Sequence, residues 1–199
     1  MHSAANHITG SKRGSKKESE SEGAEYLEAP VLGSLPEVEK GQLVVMVGSG
    51  RDQFQRWSPL LSTFSPEPVL VGPVPKAAAF KLALNQLIAA STAAIALSLG
   101  IIQRREVDPQ LFMKILRGSA PYTPQYDKKL QRMLVRDFSQ PHFATKHFLK
   151  DIRLILAEGE SFGLGIESLE GIEKIVRRAI EMGWENSDYS SICGAVNPA

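Results

Sequence analysis

The spacing of apolar residues changes along this 199-residue chain, and the changes divide it into segments. Residues 1–23 are rich in Ser, Lys, Glu and Gly, so they bury too little surface to fold and we expect a disordered tail. Residues 42–48 form a continuous Val-rich run, which is typical of a buried strand, and residues 68–72 predict a second one. Residues 51–64 between them suit a short helix with Asp52 as its cap.

A weaker pattern precedes the first apolar run. Residues 25–29 predict a short strand, and residues 30–34 predict an exposed loop. Strand, helix and strand in this order indicate the end of an α/β sheet. We therefore expect residues 24–75 to form the remnant of an α/β domain.

From residue 76 onward the pattern is helical, which predicts an all-helical domain over residues 76–199. Residues 76–104 are apolar on nearly all sides, as expected for a helix at the centre of a bundle. Shorter helices are predicted at 109–118, 125–136, 145–163 and 168–183, with Asp108, Thr145 and Asp188 as candidate caps. The fold class that follows is mainly α.

Charge and composition limit the classes of binding partner that we expect. The chain has 23 Lys and Arg against 22 Asp and Glu, and this balance predicts neither nucleic acid nor an anionic membrane as a partner. Its longest apolar stretch, residues 87–102, is shorter than the roughly 20 residues that span a bilayer, so we expect a buried helix and no membrane association. The single cysteine, Cys193, cannot form an internal disulfide, which fits the cytoplasm.

Two sequence patterns suggest a ligand site, but a purely structural role explains each of them better. Gly48-Ser49-Gly50 follows a strand and precedes a helix, as a dinucleotide fingerprint does, but its third glycine is missing. No acidic residue follows the second strand to bind a ribose, so we expect a tight turn there. His142 and His147 have no cysteine or carboxylate cluster beside them, so no metal site is expected.

Lys81 and Asn85 are polar residues on an apolar helix. They are four residues apart, so they share one face, and burying such groups without partners is costly. One interpretation is a lysine that extends to solvent beside an asparagine bonded to a neighbouring loop. The other is a functional pair.

Four segments in order support the functional interpretation. They are EAPVLGS (28–34), GQLVVMVG (41–48), KLALN (81–85) and KHFLKDIRL (146–154). Together they resemble the β-hydroxyacid dehydrogenases, such as 3-hydroxyisobutyrate dehydrogenase and the glyoxylate/succinic semialdehyde reductases. The resemblance covers residues 23–197. It implies a helical domain of the 6-phosphogluconate dehydrogenase type after the remnant of a Rossmann sheet, and assembly as a homodimer or homotetramer.

The resemblance also implies a reaction. Lys81 matches the catalytic lysine, which exchanges a proton with the substrate oxygen during hydride transfer between NADP or NAD and a small hydroxy or aldehydo acid. Asn85 matches the residue that orients this lysine and bonds the substrate. Lys150 matches a lysine that reaches the cofactor near the nicotinamide.

The segment 28–34 matches the loop that holds the substrate carboxylate. Backbone amides of Gly33 and Ser34 are the implied donors. Leu32 stands where the family has serine, so one hydroxyl donor is missing, and we expect either a different substrate choice or weaker turnover.

The family's amino-terminal βαβ units, with their glycine fingerprint, are not found in these 199 residues. Three interpretations therefore remain open. The chain is an NAD(P)-dependent oxidoreductase, a non-catalytic helical dimerisation module, or a truncated fragment that has lost cofactor binding and whose missing half lies elsewhere.

Overall fold

The structure is a computed structural model that describes residues 25–198. The tail expected over residues 1–23 lies outside the described residues. The chain divides into two compact units, and each is described by itself. The first reaches Leu84 and includes Ala157–Leu164, and the second contains Asn85–Leu156 and the residues from Gly165 onward.

The first unit contains a three-stranded sheet in the order β1-β2-β3. Its strands are β1 (Val31–Leu32), β2 (Val44–Gly48) and β3 (Val69–Gly72). β1 is antiparallel to β2, and β3 is parallel to it. Helix α1 (Leu35–Glu39) follows β1, and helix α2 (Arg51–Leu61) connects the two parallel strands. The sequence predicts β2, α2 and β3, and the structure confirms these elements.

The segment before β2 differs from the prediction. Only Glu28 of the expected strand 25–29 pairs, in an isolated bridge with Gly48, whereas the expected loop contains β1. Pro30 lies between these two pairings and has no N–H to donate, so the ladder is interrupted there. Its carbonyl still accepts from the Met46 N–H at 2.9 Å.

Two further details of this unit were wrong in the prediction. Gly50, and not Asp52, is the N-cap of α2, and Asp52 lies in the first turn. β3 is less buried than an apolar run indicates, since Val69 is 47% exposed.

Helices make up the second unit, which confirms a mainly α fold. In chain order the helices after β3 are α3 (Lys76–Arg104), α4 (Pro109–Arg117), α5 (Pro124–Val135), α6 (Thr145–Ser161) and α7 (Glu167–Ala179), then a π turn (Ile180–Trp184), a 3-10 turn (Tyr189–Ser191) and α8 (Ile192–Val196). α3 is 29 residues long. Its bounds are those that the sequence predicts.

Side-chain caps begin several of these helices. Asp108 accepts from the Gln110 N–H at 2.9 Å, and Asp188 accepts from the Ser190 N–H at 3.0 Å, as predicted. Thr145 is not a cap. Its hydroxyl is fully buried and donates to the Ser187 carbonyl at 3.0 Å.

The core of the second unit is a continuous apolar cluster. All of its helices contribute, and its fully buried members include Ala89, Met113, Ile152, Val176 and Ile192. Such a cluster supplies most of the favourable free energy of folding, at about 25 cal/mol per Å² of apolar surface buried.

α3 contributes only part of its surface to this cluster. Leu87, Leu97 and Ile101 are each more than half exposed, so the prediction of a helix buried on all sides is wrong on one face. By length and composition alone, α3 could also cross a membrane. Its other face packs in the core cluster through residues such as Ala96 and Leu99.

Candidate functional site

Lys81 and Asn85 lie one turn apart near the start of α3, and both are half-buried. Side chains four residues apart on a helix point along the same face. The helix therefore brings together the two residues that the resemblance implies for proton transfer.

Asn85 is held by Asp151, which lies on α6. The Asn85 Nδ2 donates to Asp151 Oδ2 at 3.0 Å. Since an ionised carboxylate only accepts hydrogen bonds, the amino group of Asn85 must face Asp151 and its Oδ1 must face away. The hydrogen bond to Asp151 thus fixes the orientation of the Asn85 amide and leaves its Oδ1 available as an acceptor.

Asp151 is a residue that sequence reasoning missed. Its only local signal is its position beside Lys150, and its partner is 66 residues away in sequence.

Lys150 is paired weakly. Its Nζ lies 3.4 Å from Asp151 Oδ1, and its side chain is 65% exposed. Exposed ion pairs contribute about 0–1 kcal/mol, so this ammonium can exchange its partner for another anionic group at little cost.

The segment implied to hold a carboxylate contains β1 and the start of α1. Leu32 pairs with Val44 in the sheet, and Gly33 has a φ of 136°. The Ser34 N–H and hydroxyl both donate to Glu37 Oε2, each at 2.7 Å. The donors of Ser34 are therefore bound to a carboxylate of the chain itself.

A carboxylate also lies at the start of α3. Glu28 is 3% exposed, and its Oε2 accepts from the Ala78 N–H at 3.3 Å. The backbones of Glu28 and Gly48 exchange two hydrogen bonds, of 3.0 and 2.8 Å. A Cβ on Gly48 would lie 2.7 Å from Glu28 Oε2, so glycine at position 48 leaves the room that this carboxylate occupies.

Gly48-Ser49-Gly50 is accordingly a turn shaped by protein groups. The Ser49 N–H donates to the Gly72 carbonyl at 2.8 Å, which ties the ends of β2 and β3 together. The space beside Gly48 is filled by the Glu28 carboxylate, which would repel a pyrophosphate.

A cavity of about 450 Å³ opens near the start of α2. Its charged lining is mixed, with Glu25 and Asp52 beside Arg51 and Arg56. Glu25 already bonds Arg56 at 2.5 Å. Burial raises the pKa of Tyr26, also in the lining, and the charge of Glu28 adds to this shift.

The described residues fit one end of a nicotinamide dinucleotide better than the other. Lys150 is an available cation for a polar or anionic group of the cofactor. A pyrophosphate site needs a glycine fingerprint and a helix that begins just after a buried strand. Residues 25–198 contain no complete fingerprint, and the helix that follows β2 begins beside carboxylates.

Metal and thiol chemistry have no support in the described part of the chain. No group of three His, Cys, Asp or Glu side chains there could hold a metal ion. Burial raises the pKa of the Cys193 thiol to about 11, so it stays protonated at neutral pH.

Two family models match the chain. The NAD-binding domain of NADP-dependent 3-hydroxyisobutyrate dehydrogenase matches residues 76–196, which is more than half of the chain. The NAD-binding domain of 6-phosphogluconate dehydrogenase matches residues 3–72.

Individual proteins give the same result. Glyoxylate/succinic semialdehyde reductase 2 of Arabidopsis thaliana is 27% identical over 177 residues, which are 89% of this chain and 49% of that protein. The cytokine-like nuclear factor N-PAC of Gallus gallus is 27% identical over 172 residues, covering 86% of this chain and 31% of that protein. The chain thus spans about half or less of these two relatives.

Solved structures share the fold. The 3-hydroxyisobutyrate dehydrogenase of Mycobacterium tuberculosis, in a structure with L-serine, superposes with a TM-score of 0.84 at 19% identity. The match covers 94% of this chain and 66% of that one. The model of NADP-dependent 3-hydroxyisobutyrate dehydrogenase matches more than half of the chain, and the four sequence segments resemble the same family. The chain therefore belongs to the β-hydroxyacid dehydrogenases.

Proposed function

We propose that the protein is an NAD(P)-dependent oxidoreductase that acts on small β-hydroxy acids or on aldehydo or keto acids. The observation that carries this proposal is the pairing of Asn85 with Asp151, one helical turn from Lys81. A polar side chain with a fixed orientation beside a lysine is the arrangement that controlled proton transfer needs.

Lys81 is the general acid and base. When bound, NADPH or NADH would supply the hydride that reduces the substrate carbonyl and would itself be oxidised to NADP⁺ or NAD⁺. The Lys81 ammonium donates a proton to the developing alkoxide oxygen, and in the reverse direction the neutral amine accepts the proton of the hydroxyl. The Asn85 Oδ1, which faces away from Asp151, accepts a hydrogen bond from the ammonium or from the substrate hydroxyl.

The remaining residues of the proposed site bind the cofactor and the substrate carboxylate. Lys150 contacts the cofactor near the nicotinamide, and the Gly33 and Ser34 amides contact the substrate carboxylate after Glu37 has released Ser34. Because leucine replaces the family serine at position 32, this contact lacks one hydroxyl donor. The protein therefore acts on substrates whose carboxylate is bound without that hydrogen bond. The protein acts in the cytoplasm.

Cofactor binding is the first test. Titration calorimetry with NADPH, and separately with NADH, should show binding at or below about 100 µM, which corresponds to roughly −5.5 kcal/mol. A folded chain without detectable heat at millimolar cofactor would contradict the enzyme proposal and support the truncated fragment. Binding that appears only after an amino-terminal half of a relative is added would support the fragment as well.

Reduction of glyoxylate and of succinic semialdehyde then tests Lys81. Lys81→Ala should lower kcat by at least about 100-fold, the usual contribution of a general acid. Lys76→Ala is the matched control, because it removes an exposed lysine from the same helix, and it should retain turnover. Equal activity of the wild type and Lys81→Ala would contradict the proposed role.

The second candidate is a non-catalytic helical module that forms homodimers or higher homo-oligomers. Leu87, Ala90, Ala94, Leu97 and Ile101 recur every three or four residues along α3, and the three larger side chains are mostly exposed. Apolar residues at this spacing form the seam of paired helices. One relative, N-PAC, is named a nuclear factor and not an enzyme.

The oligomeric state tests this candidate. Sedimentation should show a dimer or tetramer for the wild type and a monomer for Leu97→Glu, whereas Gln110→Glu, an exposed change on α4, should leave assembly unchanged. A stable oligomer without cofactor binding favours the module. A wild-type monomer would contradict it.

A further inference from the structure

Glu28 is a buried carboxylate that the proposed chemistry does not use. It is 3% exposed, and it lies on a strand-like segment that pairs with the end of β2. Burying a charged group is costly unless the surrounding structure compensates for the lost hydration. The position of Glu28 therefore calls for an explanation.

Part of this compensation comes from the start of α3. The first N–H groups of a helix have no partner within the helix, and together with the helix dipole they favour a negative charge. α3 has no acidic residue in its own first turn, and its first residue is Lys76. Glu28 Oε2 supplies the missing acceptor to the Ala78 N–H, from a position 50 residues earlier in the sequence.

Gly48 makes this contact possible. A side chain at position 48 would begin 2.7 Å from Glu28 Oε2 and 3.1 Å from the Ala77 Cβ. Glycine at this position thus opens the space through which Glu28 reaches the helix. The second glycine of the turn, Gly50, has no atom within 4 Å of the corresponding Cβ position, so the constraint is specific to Gly48.

Ala78 and Lys81 are neighbours on one helical face, because they are three residues apart. A helix start without a side-chain acceptor frays over its first turn, and fraying would move the backbone that carries Lys81. We propose that Glu28 is a positioning residue, which holds the first turn of α3 through Ala78 and so fixes the place from which Lys81 acts. This inference rests on the proposed role of Lys81.

Amide hydrogen exchange tests the positioning without requiring turnover. Three variants are compared with the wild type. Glu28→Ala removes the acceptor, whereas Glu28→Gln keeps an acceptor oxygen on a side chain of the same length. Glu25→Gln is the matched control in the same segment, because Glu25 bonds Arg56 and Trp57 on the surface. Exchange is followed at Ala78 and Lys81, and also at Val45 and Val47 in the core of the sheet.

We expect Glu28→Ala to raise the exchange rate at Ala78 and Lys81 by at least about ten-fold, while the rates at Val45 and Val47 change little. Glu28→Gln and Glu25→Gln should resemble the wild type. Two results would overturn the proposal: equal acceleration at the helix start and in the sheet, which indicates a general structural role, or no acceleration at Ala78. If Glu28→Ala does not fold, Gly48→Ala tests the same contact, since it keeps Glu28 but displaces its carboxylate.

Kinetics separate this inference from the proposed function. In an active preparation, Glu28→Ala should lower kcat at least about ten-fold with little change in KM, and Glu28→Gln should restore kcat, because small displacements of a reacting group are costly. Faster exchange at Ala78 with unchanged kcat would overturn the positioning role while Lys81→Ala still tests the enzyme. An inactive wild type would overturn the proposed function, and the exchange rates would still decide whether Glu28 holds the helix start.

Discussion

Lys129 and Asp188 form a buried ion pair in the helical unit, with Nζ 2.8 Å from Oδ2 and 2.9 Å from Oδ1. Their side chains are 6% and 0% exposed. Asp188 also accepts from the N–H groups of Ser190 and His142, and the Lys129 ammonium lies 4.3 Å from the centre of the Tyr189 ring. The pair thereby joins α5 to the start of the 3-10 turn, and removing either partner alone would leave a buried charge without compensation.

Lys129→Ala should lower the free energy of unfolding by about 3–5 kcal/mol, because it leaves the Asp188 carboxylate buried without its cation. Urea unfolding followed by circular dichroism measures the change. Arg117→Ala is the matched control, since it breaks an ion pair with Asp127 whose two side chains are 43% and 35% exposed, and its effect on the free energy of unfolding should be much smaller. Equal effects of the two variants would contradict the importance of burial.

The same pair predicts how stability depends on acid. Burial by itself raises the pKa of Asp188, but the hydrogen bond and charge of Lys129, with the bonds from Ser190, outweigh it and hold the pKa below its usual range. A group with a lowered pKa in the folded state stabilises the fold above its unfolded pKa, about 3.9, and this stabilisation is lost as pH falls through the folded value.

Asp188→Asn has no such titration. The difference in unfolding free energy between the wild type and this variant should therefore be largest above about pH 5 and should shrink as the pH is lowered from about 4 to 2. Urea unfolding at a series of pH values measures it. A difference that stays constant over this range would show that Asp188 is not the titrating group.

Asp151 is expected to control the orientation of Asn85. Asp151→Leu leaves the Asn85 amide without its acceptor, so both orientations of the amide become accessible and kcat should fall about ten-fold or more. The Asn85 side-chain NH₂ resonances should shift at the same time, which gives a readout independent of turnover. Asp127→Asn, which changes an exposed carboxylate on α5, should alter neither property.

Gly194 and Gly171 should respond in opposite ways to alanine. A Cβ on Gly194 would lie within 3 Å of two ring carbons of Trp184, and that ring packs against Phe138 at 5.5 Å between centroids. Gly194→Ala should destabilise the fold by about 1–3 kcal/mol through overpacking.

Gly171 lies inside α7, and no atom is within 4 Å of its Cβ position. Gly171→Ala should stabilise by about 0.5–1 kcal/mol, because alanine is the better helix former. Melting temperatures of the two variants measure both effects. A Gly194→Ala variant as stable as the wild type would contradict overpacking against Trp184, and a Gly171→Ala variant that melts at a lower temperature would contradict the effect of helix propensity.

The long elements could be predicted because their signals are local. The bounds of α3 follow from a long, mostly apolar helical pattern over residues 76–104, and the cap at Asp188 follows from its residue type. Helix α1 was not predicted, because five residues are too few to show a periodicity. Thr145 resembles a cap in sequence, but its hydroxyl bonds Ser187 across 42 residues.

The candidate site shows the same limit. Lys81 and Asn85 are visible as polar residues four apart on an apolar helix, and the family resemblance adds their roles. Asp151 and Glu28 act on this helix from 66 and 50 residues away, and no local pattern reveals such distant partners. The exposed face of α3 was not predicted for a related reason, because an apolar sequence does not show which faces of the helix pack against other elements.

The fit between Glu28 and Gly48 makes these two positions interdependent in evolution. A side chain at position 48 would displace the Glu28 carboxylate, because its first atom would lie 2.7 Å from Oε2, and a shorter residue at position 28 would relieve this contact. Single changes at either position should thus be rarer among natural relatives than paired ones. Sequences that carry glycine at 48 should be those that keep a long acid or amide at 28, and the two columns of an alignment should change together.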